Sequence, residues 1–159
     1  MIRVDDPIIP YEGVGQIKLY SNPSDVIDYL EKTDTPYIME KWSLENEGVK
    51  EDPDPWTIID IKNIMRLFFA SNNKLFKIAL CQDYKGALPN GISLSSPFQE
   101  AMSIDSTLKF DDWDEIFISE NGYFMETDVD NEAILNISIF IREMETSEFD
   151  NLEWQKNCK

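Results

Sequence analysis

Between Thr57 and Ala70 the apolar side chains recur at every second position. Ile59, Ile61, Met65, Leu67 and Phe69 share one parity, while Asp60, Lys62 and Arg66 lie on the other. A period of two is the spacing of a strand with one face buried and one face in water. The run reads as one half-buried strand, or as two with a bend near Asn63. Ser71-Asn-Asn-Lys74 then supplies a hairpin turn and Leu75 to Cys81 the returning strand. The same period comes back in the segment Ala133 to Glu143, where Leu135, Ile137, Ile139 and Ile141 alternate with Asn136, Ser138 and Arg142. Tyr37 to Leu44, Glu115 to Ser119 and Tyr123 to Asp128 are also strand-like, and Asn121-Gly122 is a strong hairpin turn between the last two. A chain patterned this way folds around antiparallel sheets.

Two helix starts interrupt the strands. Asn22 can cap a helix, Pro23 fits its first turn, and Asp25 suits the positive end of its dipole. Val26, Ile27 and Leu30 then form an apolar stripe, and Thr35-Pro36 ends the helix near Thr33. Gly13-Val-Gly-Gln-Ile-Lys-Leu19 leads into it. The order glycine, Ile-x-Leu, serine, proline-opened helix returns in Gly91-Ile-Ser-Leu-Ser-Ser-Pro-Phe-Gln-Glu-Ala-Met102. Ser96 and Gln99 read there as a capping box around Pro97. The spacing predicts helices over 23–32 and 97–104. The expected architecture is α+β: two pseudo-repeated β-α-β-β-β units, about 13–81 and 89–143, forming antiparallel sheets with packed helices. They make one domain over 1–144, with a polar C-terminal tail over 145–159. The second copy has lost Gly13-x-Gly15, the spacing does not fit a Walker loop, and the third glycine of a dinucleotide fingerprint is missing. The glycine pair therefore reads as architecture and not as a phosphate cradle.

Composition narrows the chemistry. In 159 residues there are 31 acids against 14 bases, a net charge of -17, and no histidine. Such a surface repels nucleic acid and anionic membranes and steers basic partners toward it. Without histidine the usual neutral-pH base, the Ser-His pair and the commonest metal ligand are gone. Cys81 and Cys158 are too far apart in sequence for a metal-binding spacing. Cys81 reads as a buried free thiol and Cys158 as an exposed one. Asp128-x-Asp130-x-Glu132, with Glu126 nearby, lacks the glycine and distal glutamate of a calcium loop. No basic n-region, apolar h-region or membrane-length apolar run is present, so a soluble, cytoplasmic protein is expected. The expectation is no catalytic residue, no metal and no cofactor.

Two acidic clusters are interrupted by tryptophan. The first is Glu45, Glu47, Glu51, Asp52, Asp54 and Trp56; the second is Asp111, Asp112, Trp113, Asp114 and Glu115. Each tryptophan is either a core anchor beside solvated acids or the hot spot of an acidic docking surface. The 45–56 segment is the first choice for such a surface, because it is the longest polar loop and Pro53 and Pro55 restrict it. The 111–115 cluster is the second.

With Ile8-Ile-Pro-Tyr-Glu-Gly-Val-Gly-Gln-Ile-Lys-Leu19, the capped helix after it, small size, acidity and no catalytic motif, the chain resembles a bacterial immunity protein. The kind is that encoded beside contact-dependent growth-inhibition or other polymorphic toxins. The resemblance implies binding and neutralisation of a cognate toxin, a nuclease with a basic groove in the reading favoured by charge. It carries no interface residue over by position and leaves subfamily and oligomeric state open. The alternatives are an acidic DNA-mimic regulator of a basic host protein and a carboxylate-based hydrolase.

Overall fold

The computed structural model describes residues 1–43, 48 and 55–145. Their fold is α+β, with two α-helices and eleven strands in antiparallel sheets among the described residues. A small meander comes first: β1 (Ile8–Ile9), β2 (Gly13–Val14) and β3 (Ile17–Lys18). Here the glycine pair finds its use. Both glycines have positive φ, and a Cβ on Gly13 would overlap the carbonyl of Ile17 across the hairpin. A Cβ on Gly15 would overlap the Asp6 carboxylate, a neighbour that would also repel a phosphate.

Helix α1 (Pro23–Lys32) has the predicted bounds, and the Asn22 side chain caps it by accepting from Asp25 N at 2.9 Å. Four strands follow: β4 (Ile38–Trp42), β5 (Trp56–Ile61), β6 (Met65–Phe69) and β7 (Leu75–Leu80). Helix α2 (Phe98–Ile104) opens four more: β8 (Lys109–Asp111), β9 (Ile116–Ile118), β10 (Tyr123–Thr127) and β11 (Ile134–Phe140). One sheet takes all eight in the order β4-β5-β6-β7-β11-β10-β9-β8. Each helix is thus followed by a four-stranded meander, and the two meanders meet through their last strands.

Register builds the core. Ile59, Leu67, Ile78 and Ile139 form one row across four strands; Ile61, Met65, Leu80 and Ile137 form the next. All eight are buried, and with Val26, Leu30, Phe98 and Ala101 of the helices they belong to one core. The opposite face carries a second row: Ile58, Phe68, Lys77 and Phe140. There the Lys77 ammonium lies 4.1 Å from the Phe68 ring centroid and 5.7 Å from that of Phe124, a favourable seat for a cation over aromatic faces. Burial still pulls the Lys77 pKa below its ordinary value.

Several expectations need correction. The β-α-β-β-β unit is not the pattern observed. The 57–70 run is two strands turned at Asn63, φ 63°, which is the second of the two readings its alternation allowed, and β8 is an additional short strand in the second half. Strand β3 belongs to the small sheet, while its counterpart around Ile92 is no strand and makes only an isolated bridge, Ala87 to Ser93. The Ser96–Gln99 capping box does not form. Pro97 is the N-cap residue without a side-chain cap, and Ser96 Oγ accepts from Ser93 N at 3.0 Å instead. Leu135 does not join the core row. A register shift between Glu126 and Thr127 puts Ile134 inside and leaves Leu135 exposed. Cys81 is only part-buried; burial, then the nearby Asp60 charge, raises its pKa.

Candidate functional site

The two tryptophans of the acidic clusters have opposite surroundings. Trp56 opens β5 and is part-buried. Its ring lies 5.0 Å from Trp42, its cross-strand partner, and 4.9 Å from Phe76. Glu45, Glu47, Glu51, Asp52 and Asp54 lie outside the described residues, as do Cys158, Trp154 and the tail from residue 146. Trp113 stands at the turn between β8 and β9 and is 91% exposed. No core contact accounts for it.

That turn is built, not loose. Asp111 Oδ2 accepts from Asp114 N at 3.1 Å, and the Asp111 carbonyl accepts from Glu115 N at 2.8 Å. Glu115 takes a left-handed φ of 56° to close it. An aspartate side chain that bonds its own downstream backbone is a known way to hold such a turn. The result presents Asp112, Trp113, Asp114 and Glu115, all exposed, at one end of the sheet.

Beside the turn, on the sheet face opposite the helices, lies an open groove of about 280 Å³. Ile118, Phe124, Phe140 and Met144 line it, with Asp114 and Glu145 as its acidic members. Its far side is a 3-10 turn, Arg142–Glu145, which two tyrosines hold. Tyr11 Oη donates to Glu145 Oε1 and Tyr20 Oη to Glu143 Oε1, each at 2.7 Å. Burial first, and then those carboxylates, push both phenols up to about 12. Arg142 stacks on Tyr11, its guanidinium carbon 3.9 Å from the ring centroid.

The most heavily bonded carboxylate among the described residues, Asp105, is not one of the residues singled out from the sequence. It is 4% exposed, just after α2. Thr107 donates through its N–H at 3.0 Å and its hydroxyl at 2.6 Å, Ser119 at 2.5 Å and Asn121 at 3.2 Å, and Tyr123 donates as well. Burial works to raise the Asp105 pKa, but the bonds from Ser119, Thr107 and Tyr123 outweigh it and hold the group well below the usual carboxylate range. A carboxylate has about four lone-pair positions. With five donors on them it has none left to take a proton from a substrate, so Asp105 is a tie between α2 and the β9–β10 hairpin. The bond from Thr107 N to Asp105 Oδ1 is local, an Asx turn. The other partners, fourteen to eighteen residues away, are brought in only by the tertiary fold.

The neighbouring cleft, about 430 Å³ and lined by Pro10, Tyr11, Pro89, Asn90, Asn121 and Tyr123, shares this structural character. Asn90 donates to Tyr123 and accepts from Ile92 N. In the β10–β11 turn, Asp128 Oδ1 accepts from Glu132 N, while Asp130 and Glu132 point to solvent. Among the described residues no three acidic or cysteine side chains converge as metal ligands, and no helix is long and apolar enough to cross a membrane. No protein-family model, curated protein or solved structure matches the chain.

Proposed function

We propose that this protein is a binding protein that neutralises a basic partner, in the manner of an immunity protein acting in the cytoplasm on a cognate toxin nuclease. The observation that carries the reading is Trp113: a large aromatic ring, almost wholly exposed, on an acidic turn that is itself fixed by hydrogen bonds. Leaving a tryptophan in water forgoes about 2 kcal/mol or more of available burial. Because hydrogen bonds already hold the turn's backbone, less backbone entropy is lost when a partner covers the ring. Asp112, Asp114 and Glu115 around it would occupy places meant for phosphates, and the charge of -17 would speed encounter with a basic surface.

The interface is assigned to the second acidic cluster. For the first cluster, Trp56 is tied into the Trp42–Phe76 stack. We further propose that the two halves descend from one duplicated unit. The support is that each helix leads a four-stranded meander and that the meanders join last strand to last strand. Superposing the halves, α1 with α2 and β4–β7 with β8–β11, tests that origin.

The functional test is co-expression with the product of the adjacent reading frame. The expected outcome is rescue of growth by the wild-type chain and loss of rescue with a well-folded Trp113→Ala variant. A neighbour without toxicity, or rescue indifferent to Trp113 and to charge reversal at Asp112 and Asp114, sinks the reading.

A further inference from the structure

We infer that the free edge of β8 is a strand-addition site, taking a partner segment in which basic and apolar residues alternate. This rests on the reading above that the acidic turn faces a basic partner, and it assigns the mode of contact. Strand β8 is the last strand of the eight-stranded sheet. One side of its backbone therefore has no strand partner among the described residues, and such an edge is a template for another strand.

The two faces of this edge differ in chemistry. On one, Phe110 is 52% exposed and its ring lies 5.1 Å from Phe117, which in turn meets Phe98 at 4.4 Å. On the other, Lys109 and Asp111 continue the rows of Ile118 and Ile116 toward the groove between Asp114 and Glu145. Side chains of an added strand alternate between these faces. Apolar ones would extend the Phe110–Phe117–Phe98 cluster. Lysine or arginine on the other face would lay its aliphatic stem along Ile118 and bring its charge to Asp111, Asp114 or Glu145. An apolar groove with acids at its ends suits that amphipathic shape better than it suits a purely apolar side chain.

Charge also selects among sites and occupants. The other open edge, β4, exposes Ile38 and Met39, but its one acid, Glu40, is already paired with Arg66 at 3.2 Å, and Lys41 follows. Among the described residues of β4, no acid is left unpaired for a basic strand. A second copy of this chain carries the same net charge of -17, so self-pairing along β8 works against long-range repulsion that a basic partner does not meet.

The probe is a Lys-Val-Lys-Val-Lys-Val peptide titrated into the full chain at low salt and followed by amide chemical shifts and hydrogen exchange. Controls are the same peptide N-methylated at every residue and a Glu-Val analogue. The expected result is shifts centred on Lys109, Phe110, Asp111 and Ile118, slowed exchange in β8, and binding about tenfold weaker for the N-methylated peptide, whose charge is unchanged but whose backbone donors are gone. Equal binding of the N-methylated peptide, shifts centred on Ile38–Trp42, absence of binding, or self-association through β8 in sedimentation overturns the inference. Toxin neutralisation is read separately through Trp113. A failed peptide titration with a retained Trp113 effect removes strand addition alone, whereas loss of both removes the functional reading as well.

Discussion

Trp56 and Trp113 share a sequence context, a tryptophan beside a run of acids at the border of a strand, and the fold treats them in opposite ways. Strand β5 lies inside the sheet, between β4 and β6, and Trp56 finds Trp42 and Phe76 within stacking reach. Trp113 lies in the turn after the short edge strand β8, is 91% exposed, and packs on no ring among the described residues. Both β5 and β9 lie one strand in from an edge; what separates the tryptophans is that Trp56 sits within a strand, opposite Trp42 and beside Phe76, whereas Trp113 sits in the turn beyond β8. The fold accounts for Trp56 through its contacts with Trp42 and Phe76, whereas the role of Trp113 rests on the proposed partner.

The largest test of this contrast is Trp56→Ala. Removing a ring from the three-ring stack is expected to lower stability by about 3 kcal/mol, read from the denaturant midpoint. A change under about 0.5 kcal/mol, as expected for a free surface ring, would erase the distinction. Asp105→Asn comes next, at about 2–3 kcal/mol, because an amide would turn donors toward the donors of Ser119 and Tyr123. The same residue sets an acid limit. Its folded pKa is depressed, so the folded state binds the proton less readily than the unfolded chain. The stability it supplies is present above the unfolded value of about 3.9 and drains away as pH falls below it. Asp105→Asn should flatten acid unfolding in that window. An unchanged acid limb would mean that other carboxylates control it.

Trp113→Ala is expected to leave the melting temperature of the free protein almost unmoved while weakening the toxin complex by about 2 kcal/mol, mainly through faster dissociation. A melting shift as large as that of Trp56→Ala would place Trp113 in the fold and collapse the comparison from the other side. The smallest effect belongs to Asp111→Ala, which removes the side-chain bond to Asp114 N and is expected to cost about 1 kcal/mol of stability. If the turn's order is what makes Trp113 a good anchor, this variant should also reduce affinity, with acrylamide quenching of Trp113 remaining high.

Much of the fold could be read ahead because its signals are local. Asn22, Pro23 and Thr35-Pro36 delimit α1 by capping and backbone chemistry alone, and the alternation through Ile59, Leu67, Ile78 and Ile139 marks the core rows. The misreadings occur where a neighbour overrides the local pattern. A register shift at Glu126 reverses Leu135, and the bond from Ser93 N draws Ser96 away from its expected cap. Strand β8 is three residues with Phe110 between two charges, too short for periodicity to reveal. The acidic turn was legible as composition, but its hydrogen-bonded order and the exposure of Trp113 depend on where β8 stops and the chain turns back into β9.

The meeting of the two meanders at β7 and β11 also bears on how the chain reaches its native state. Within the eight-stranded sheet, most pairings are between consecutive strands, while Ile78 must find Ile139 and Leu80 must find Ile137. Closing so long a loop is slow relative to forming a local hairpin. During synthesis β7 emerges well before β11, and its edge, with Leu75, Ile78 and Leu80 on the future core face, waits for the strand that seals it. That interval, more than anything in the finished molecule, is when this protein is most exposed to pairing with the wrong chain.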